Sequence, residues 1–189
     1  MDYGGDGLVD TLEYLEDNSI DYYGVGCPSR DKKVFHKIKM GKKIVVILAL
    51  TLPDPGVLNY SNDKCGTFNY FRYRKLIPTI KKECDVLIVS IHGGIEFVSI
   101  PSPKIKKEFR NIINLGADVV IGHHPHVPQG YEKFKSGMIF YSLGNFVFDL
   151  NYHKKYKHTD KGYFVKLSLT KKLKFEIIPI IKDNKNFID

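Results

Sequence analysis

Residues 118–130 read DVVIGHHPHVPQG, and the rest of the chain is arranged around them. A β-branched run, Val119-Val120-Ile121, stops at Gly122. Three histidines follow at once, His123, His124 and His126, with Pro125 between the last two. A short apolar run closed by a glycine fits a strand buried on both faces. Imidazoles crowded behind such a strand point to a metal ion, because neutral imidazole is the commonest protein ligand for transition metals. A solvated loop with incidental histidines is the other reading, and the neighbouring segments decide between them.

Comparable runs lie on either side. IVVILALT (44–51) and DVLIVSI (85–91) predict buried strands upstream, and MIFYSL (138–143) predicts one downstream. Ser102-Pro103 opens a helix, with Ser as N-cap and Pro in the first turn. Ile105, Phe109, Ile112 and Ile113 form its buried stripe, and Gly116 ends it. This strand–helix–strand alternation predicts an α/β fold with parallel pairing. The tail, YFVKLSLT and then KKLKFEIIPII to Ile181, predicts two strands joined by a Lys-rich turn, so the sheets are mixed.

The first third is less regular. Residues 6–18 predict a helix with Leu8, Leu12 and Leu15 on one face and Asn18 as its stop. Residues 20–26 predict a short strand, and 27–43 a polar loop or short strand. Residues 52–66, rich in Pro, Gly, Asn and Asp, predict an irregular loop. FNYFRYRK (68–75) interleaves aromatic and basic residues. It predicts a helix running to Cys84, restarted at Pro78, rather than a nucleic-acid stacking surface, since no nucleic-acid signature accompanies it. No repeat or linker divides the chain, so residues 1–189 are expected to be one domain.

Composition bounds the function. The chain has 189 residues, 43% of them hydrophobic, enough for a packed core. No apolar run reaches the ~18 residues of a membrane-spanning helix, and the acidic, Gly-rich start is not a signal peptide. A net charge of +8 permits an anionic partner, although the lysines are spread along the chain as solvated faces. Cys27, Cys65 and Cys84 show no Cys-x-x-Cys spacing and are expected as reduced, buried thiols.

Three predicted strands end in residues able to coordinate: His92 after 85–91, His124 and His126 after 119–121, and Asn145 after 138–143. Ligands of open α/β sheets sit beyond the carboxyl ends of strands, so these groups converge at one edge. In an extended segment residues i and i+2 share a side. His124 and His126 would then face the site together, stiffened by Pro125, while His123 points elsewhere in a supporting role. Glu96, four residues after His92, either completes the ligand set, orients an imidazole, or is a surface carboxylate. Gly93 and Gly94 would let the backbone approach a bound group.

Three blocks carry a resemblance. They are His92-Gly93-Gly94-x-Glu96 with Pro101 downstream, the run from Gly116 to Val127, and Tyr141-Ser142-Leu143-Gly144-Asn145-Phe146-Val147-Phe148-Asp149. Together they resemble the bacterial capsule synthesis protein CapA family, associated with poly-γ-glutamate capsule biosynthesis and related to calcineurin-like metallophosphoesterases. The resemblance covers residues 2–182. It implies an α/β, metallophosphoesterase-like sandwich of mixed β-sheets flanked by helices. It implies divalent metal, of the Mn, Fe or Zn type, at a two-metal site where His92, His124 and His126 are ligands and Asn145 shapes the site from below. The implied chemistry is metal-assisted hydrolysis of a phosphoester or amide-like bond. The implied partners are an anionic polymer or phosphoester substrate and other capsule-synthesis membrane proteins, with no specific nucleic acid. Family members are often membrane-associated, outside the cytoplasm.

The sequence departs from the family pattern twice. Gly93 stands where the family usually has Trp. The family's N-terminal strand ending in Gly-Asp, and an Asn-His pair ahead of an Asp-Tyr-Gly segment, have no counterpart, since Asp2-Tyr3-Gly4 follows Met1 directly. The expectation is a fold without its first strands and an incomplete dinuclear site. That leaves two readings, a hydrolase-like enzyme or a truncated, non-catalytic metal- or polymer-binding fragment.

Overall fold

The computed structural model describes residues 3–30, 32–54, 56–147, 151–169 and 173–182. In chain order these form α1 (Gly4–Asp17), β1 (Val25–Gly26), β2 (Phe35–Met40), β3 (Lys43–Thr51), β4 (Gly66–Thr67), α2 (Tyr70–Tyr73), α3 (Ile77–Lys81), β5 (Val86–His92), α4 (Pro103–Asn114), β6 (Val119–His123), β7 (Tyr131–Phe134), β8 (Gly137–Phe140), β9 (Lys161–Leu169) and β10 (Leu173–Ile181).

The apolar runs become the middle of one six-stranded sheet, ordered β2-β3-β5-β6-β8-β7. The four central strands are parallel, and β2 and β7 close the edges antiparallel. Both faces of this sheet are covered, which is why the runs are continuous rather than alternating. Along β5, Leu87, Val89 and Ile91 face one side with Ile105, Phe109 and Ile112 of α4. Val86 and Ile88 face the other side, where the β9–β10 hairpin lays down Tyr163, Val165, Leu167 and Ile177. The result is a sandwich of a mixed sheet and an antiparallel hairpin, with helices on the outer face.

Local chemistry sets the boundaries of α4 as the sequence predicts, whereas the helix expected to run to Cys84 is split into α2 and α3 and ends at Lys81. Ser102 accepts a hydrogen bond from the Ile105 amide at 3.3 Å, and all four residues of the predicted stripe on α4 are buried. Asn69 caps α2, accepting from the amides of Phe71 and Arg72. Leu12 is the buried residue of α1, whose Glu16 bonds Tyr22 and Arg30.

Several expectations are corrected. The strand expected over 20–26 shortens to β1, because its partner β4 offers only two residues. Of the two alternatives for residues 27–43, the strand is present, as the six-residue β2, and β7 forms where no strand is predicted. Cys27 and Cys65 are not reduced thiols but a disulfide, with Cα atoms 4.0 Å apart. Antiparallel pairing of Gly26 with Gly66 sets their neighbours Cys27 and Cys65 side by side, a proximity that spacing along the chain cannot reveal. Cys84 alone is free. The Lys-rich turn at 170–172, and Phe148 and Asp149 of the family block, lie outside the described residues.

Candidate metal centre

β5 and β6 run parallel and end together, with His92 in register with His123. Beyond them the chain does not stay extended. His124 has φ 103° and His126 φ 58°, both in the left-handed region that side chains with a Cβ rarely adopt. The expected period-two geometry is therefore wrong. The two imidazoles are aimed by a pair of left-handed residues bracketing the buried Pro125.

The loop after β5 clasps this turn. Gly93 N donates to His123 O at 3.0 Å and Phe97 N to Pro125 O at 2.8 Å. A Cβ on Gly93 would meet the Leu52 side chain at 2.6 Å, and one on Gly94 would meet Pro125 at 3.2 Å. The close approach these glycines allow is thus to protein, not to a bound group. Gln129, nearly buried, donates from Nε2 to Val98 O at 2.7 Å and ties down the far end of the same loop.

The clasp brings most of the predicted residues together. His92 Nε2 lies 3.1 Å from His124 Nδ1. Single donor atoms of Glu96, His124 and His126 all fall within 4.8 Å of one another. His126 Nδ1 and Asn145 Oδ1 are 2.9 Å apart, and Asn145 Nδ2 donates to Thr159 O at 2.9 Å. A carbonyl oxygen can only accept, so the Asn145 amide nitrogen must face Thr159 and its oxygen must face His126. His126 therefore carries its proton on Nδ1 and presents Nε2 as the basic nitrogen. His123 remains in β6, half-buried and outside the donor group.

Electrostatics favour uncharged imidazole. Desolvation by the packed loops, then the nearby His124, His123 and His126, lower His92 to about 4 although its side chain stays solvent-exposed, with Asp54 opposing. Burial also lowers His123. Neutral imidazole is the form that ligates metal.

One residue of this neighbourhood escaped the sequence. His153 is buried, and its ring meets that of His126 edge-to-face, centroids 4.4 Å apart. It sits within residues 151–162, a polar stretch bearing Lys and His that reads as a loop. Burial, then His126, lowers its pKa, with Glu96 opposing.

Glu96, His124 and His126 form the donor group, and His92 stands outside it, joined to His124 through their ring nitrogens. Two imidazoles on a tetrahedral ion with bonds of 2.0–2.1 Å have nitrogens about 3.3 Å apart. The 3.1 Å between His92 and His124 is close to that spacing. A second ion would need a bridging carboxylate, and among the described residues the donor group contains one carboxylate, Glu96.

Known proteins resemble the chain in sequence and in fold. Residues 1–150 match the family described as bacterial capsule synthesis protein PGA_cap. The capsule biosynthesis protein CapA of Bacillus anthracis is 32% identical over 158 residues, covering 78% of this chain and 38% of that protein. The PGA biosynthesis protein CapA of Bacillus subtilis (strain 168) is 31% identical over 191 residues, covering 95% of this chain and 48% of its own length. The chain thus spans less than half of these two relatives. Among solved structures, a putative 5'-nucleotidase from Staphylococcus aureus matches with a TM-score of 0.55 and 18% identity, covering 94% of this chain and 37% of its own. A phosphatase from Mycoplasma pneumoniae matches with a TM-score of 0.54 and 20% identity, covering 82% and 59%. These two share the fold, which is metallophosphoesterase-like. With sequence and fold in agreement, the chain belongs to the bacterial capsule synthesis protein family of CapA.

Proposed function

We propose that this chain carries the hydrolytic metal centre of a capsule-polymer biosynthesis protein. In this reading His92, His124 and His126 are ligands, Glu96 is the carboxylate of the set, and Asn145 fixes the tautomer of His126. The observation that carries it is the meeting of these imidazoles and Glu96 at the carboxyl edge of two parallel strands. A nitrogen-rich set with one carboxylate suits an ion of the Mn, Fe or Zn type. Such an ion, when bound, supplies Lewis-acid polarisation of the scissile group and activation of water. The chain's own part is to hold neutral imidazoles at that edge. The substrate is an anionic polymer or phosphoester, consistent with a net charge of +8. Partners would include other capsule-synthesis membrane proteins. Among the described residues no helix is long and apolar enough to cross a membrane.

The test is hydrolysis of bis-p-nitrophenyl phosphate by metal-free protein resupplied with Mn²⁺, Fe²⁺ or Zn²⁺, with elemental analysis of retained metal. Turnover is expected with at least one ion. Joint His124→Ala and His126→Ala replacement should abolish metal retention, whereas His123→Ala should leave it largely intact. Equal losses would overturn the ligand assignment. The single carboxylate in the donor group favours a second reading, metal or polymer binding without turnover. Folded protein that retains metal yet stays inactive with every ion would select it.

A further inference from the structure

We propose that residues 151–159 brace the ligand His126, with His153 as the positioning residue. The inference rests on the reading of His126 as a ligand. His153 itself lies beyond residues 1–150, the part of the chain that the family description matches.

The backbone at the site sits in an unfavourable region. Phe97, His124 and His126 have φ of 60°, 103° and 58°. Such conformations persist only where surrounding structure over-determines them. The brace touches His126 directly through His153 and supports two further groups that touch it, Phe97 and Asn145. The His153 ring meets the His126 ring at 4.4 Å and 83°. Phe97 lies against His126 at 6.2 Å and 29°, and its other ring contacts are to the brace, among them a parallel stack on Tyr156 at 3.8 Å and an edge contact with His153 at 5.1 Å. The Asn145 amide links His126 Nδ1 to Thr159 O. Thr159 closes the brace on itself, its Oγ1 lying 2.8 Å from His153 O and 3.0 Å from Tyr156 O.

Three planar groups therefore fix the ring of His126, and two of them act through residues 151–159. Rotation of the ring would break the Asn145 bond and slide it off His153. The brace sets which nitrogen faces the metal and along which line. Residues that orient a ligand from outside the coordination sphere are commonly worth 10–100-fold in metal affinity.

The test compares Mn²⁺ titration calorimetry of wild type, His153→Ala, His153→Phe, Thr159→Val and His126→Ala, with circular dichroism establishing that each is folded. ¹⁵N NMR of the His126 ring is recorded on metal-free wild type, His153→Ala and His153→Phe. His153→Ala should weaken Mn²⁺ binding by about tenfold or more. His153→Phe keeps a flat ring against His126 and should stay within about threefold of wild type. Thr159→Val keeps the shape, loses the hydroxyl, and should weaken binding several-fold. The wild-type ring should show one Nδ1–H tautomer, retained in His153→Phe and lost to exchange in His153→Ala. Folded His153→Ala with wild-type affinity and an unchanged tautomer would overturn the proposal, as would His153→Phe as weak as His153→Ala. Should His153→Ala fail to fold, His153→Phe and Thr159→Val decide, and wild-type affinity in Thr159→Val overturns it. If His126→Ala binds Mn²⁺ as wild type does, the ligand reading fails instead, and the tautomer comparison still judges the brace.

Discussion

His92 is the residue whose surroundings have the clearest thermodynamic consequence. Desolvation by the packed loops and the neighbouring imidazoles lower it to about 4, against an ordinary value of 6.5, although the side chain stays exposed, so solvent screens the effect. An unfolded chain therefore binds this proton more readily than the folded one between those limits. Stability rises with pH through that window, is complete above about 6.5, and is lost as pH falls toward 4. The metal-free protein should show a melting temperature that drops as pH is lowered from 6.5 to 4, and His92→Asn should flatten part of the drop. A wild-type melting temperature constant over this range would show that His92 is not so held. The residue scale also shows what the sequence could and could not disclose. His92, His124 and His126 each follow an apolar run, so strand topology places them at one edge. The left-handed turn at His124 and His126 is hidden in the sequence, because the partners that hold it, Asn145 on His126 and Phe97 on Pro125, are remote in sequence.

Elements buried on both faces were legible in the sequence, and elements with an open side were not. β3, β5 and β6 announce themselves as unbroken apolar runs. β2 is an edge strand whose Phe35, Lys37 and Lys39 are exposed, and β7 exposes Tyr131 and Lys133, so the first reads as loop or short strand and the second gives no strand signal. The smallest elements depend on covalent help. β1 and β4 pair over two residues each, too few to be stable alone. The Cys27–Cys65 disulfide, closing a 38-residue separation, joins them. In the loop-entropy picture such a crosslink destabilises the unfolded chain by about 4 kcal/mol. Cys65→Ser, or reduction of the wild type, should lower unfolding free energy by about 2–4 kcal/mol in urea titrations. Identical midpoints with and without reductant would mean the thiols are not paired. A disulfide of this kind is expected where the compartment is oxidising.

At the scale of the whole molecule, the core and the centre depend on the same hairpin. β9 alternates strictly: Tyr163, Val165, Leu167 and Leu169 turn toward the central sheet, while Phe164 and Lys166 are exposed. The apolar set covers Val86, Ile88, Val119, Met138 and Phe140, the face that the helices leave open. The same strand reaches the centre through the backbone. Tyr163 N donates to Leu143 O at 2.9 Å, Tyr163 Oη donates to Gln129 O at 3.1 Å, and Gly144 bridges to Gly162. Those contacts bracket Asn145, which holds His126. A charge introduced on the inner side of β9 should therefore damage fold and site together. Val165→Asp would place a half-buried carboxylate against this apolar cluster, at a cost of about 2 kcal/mol or more. Lys166→Asp, one residue along, changes only an exposed side chain whose ion pair with Glu176 spans 3.7 Å, and should cost no more than about 1 kcal/mol. Urea denaturation and metal retention measured on both variants check this. Val165→Asp should lose stability and metal, and Lys166→Asp should keep both. Equal tolerance of the two substitutions would mean that the hairpin does not lie on the sheet in this register, because a one-residue slip exchanges the two faces.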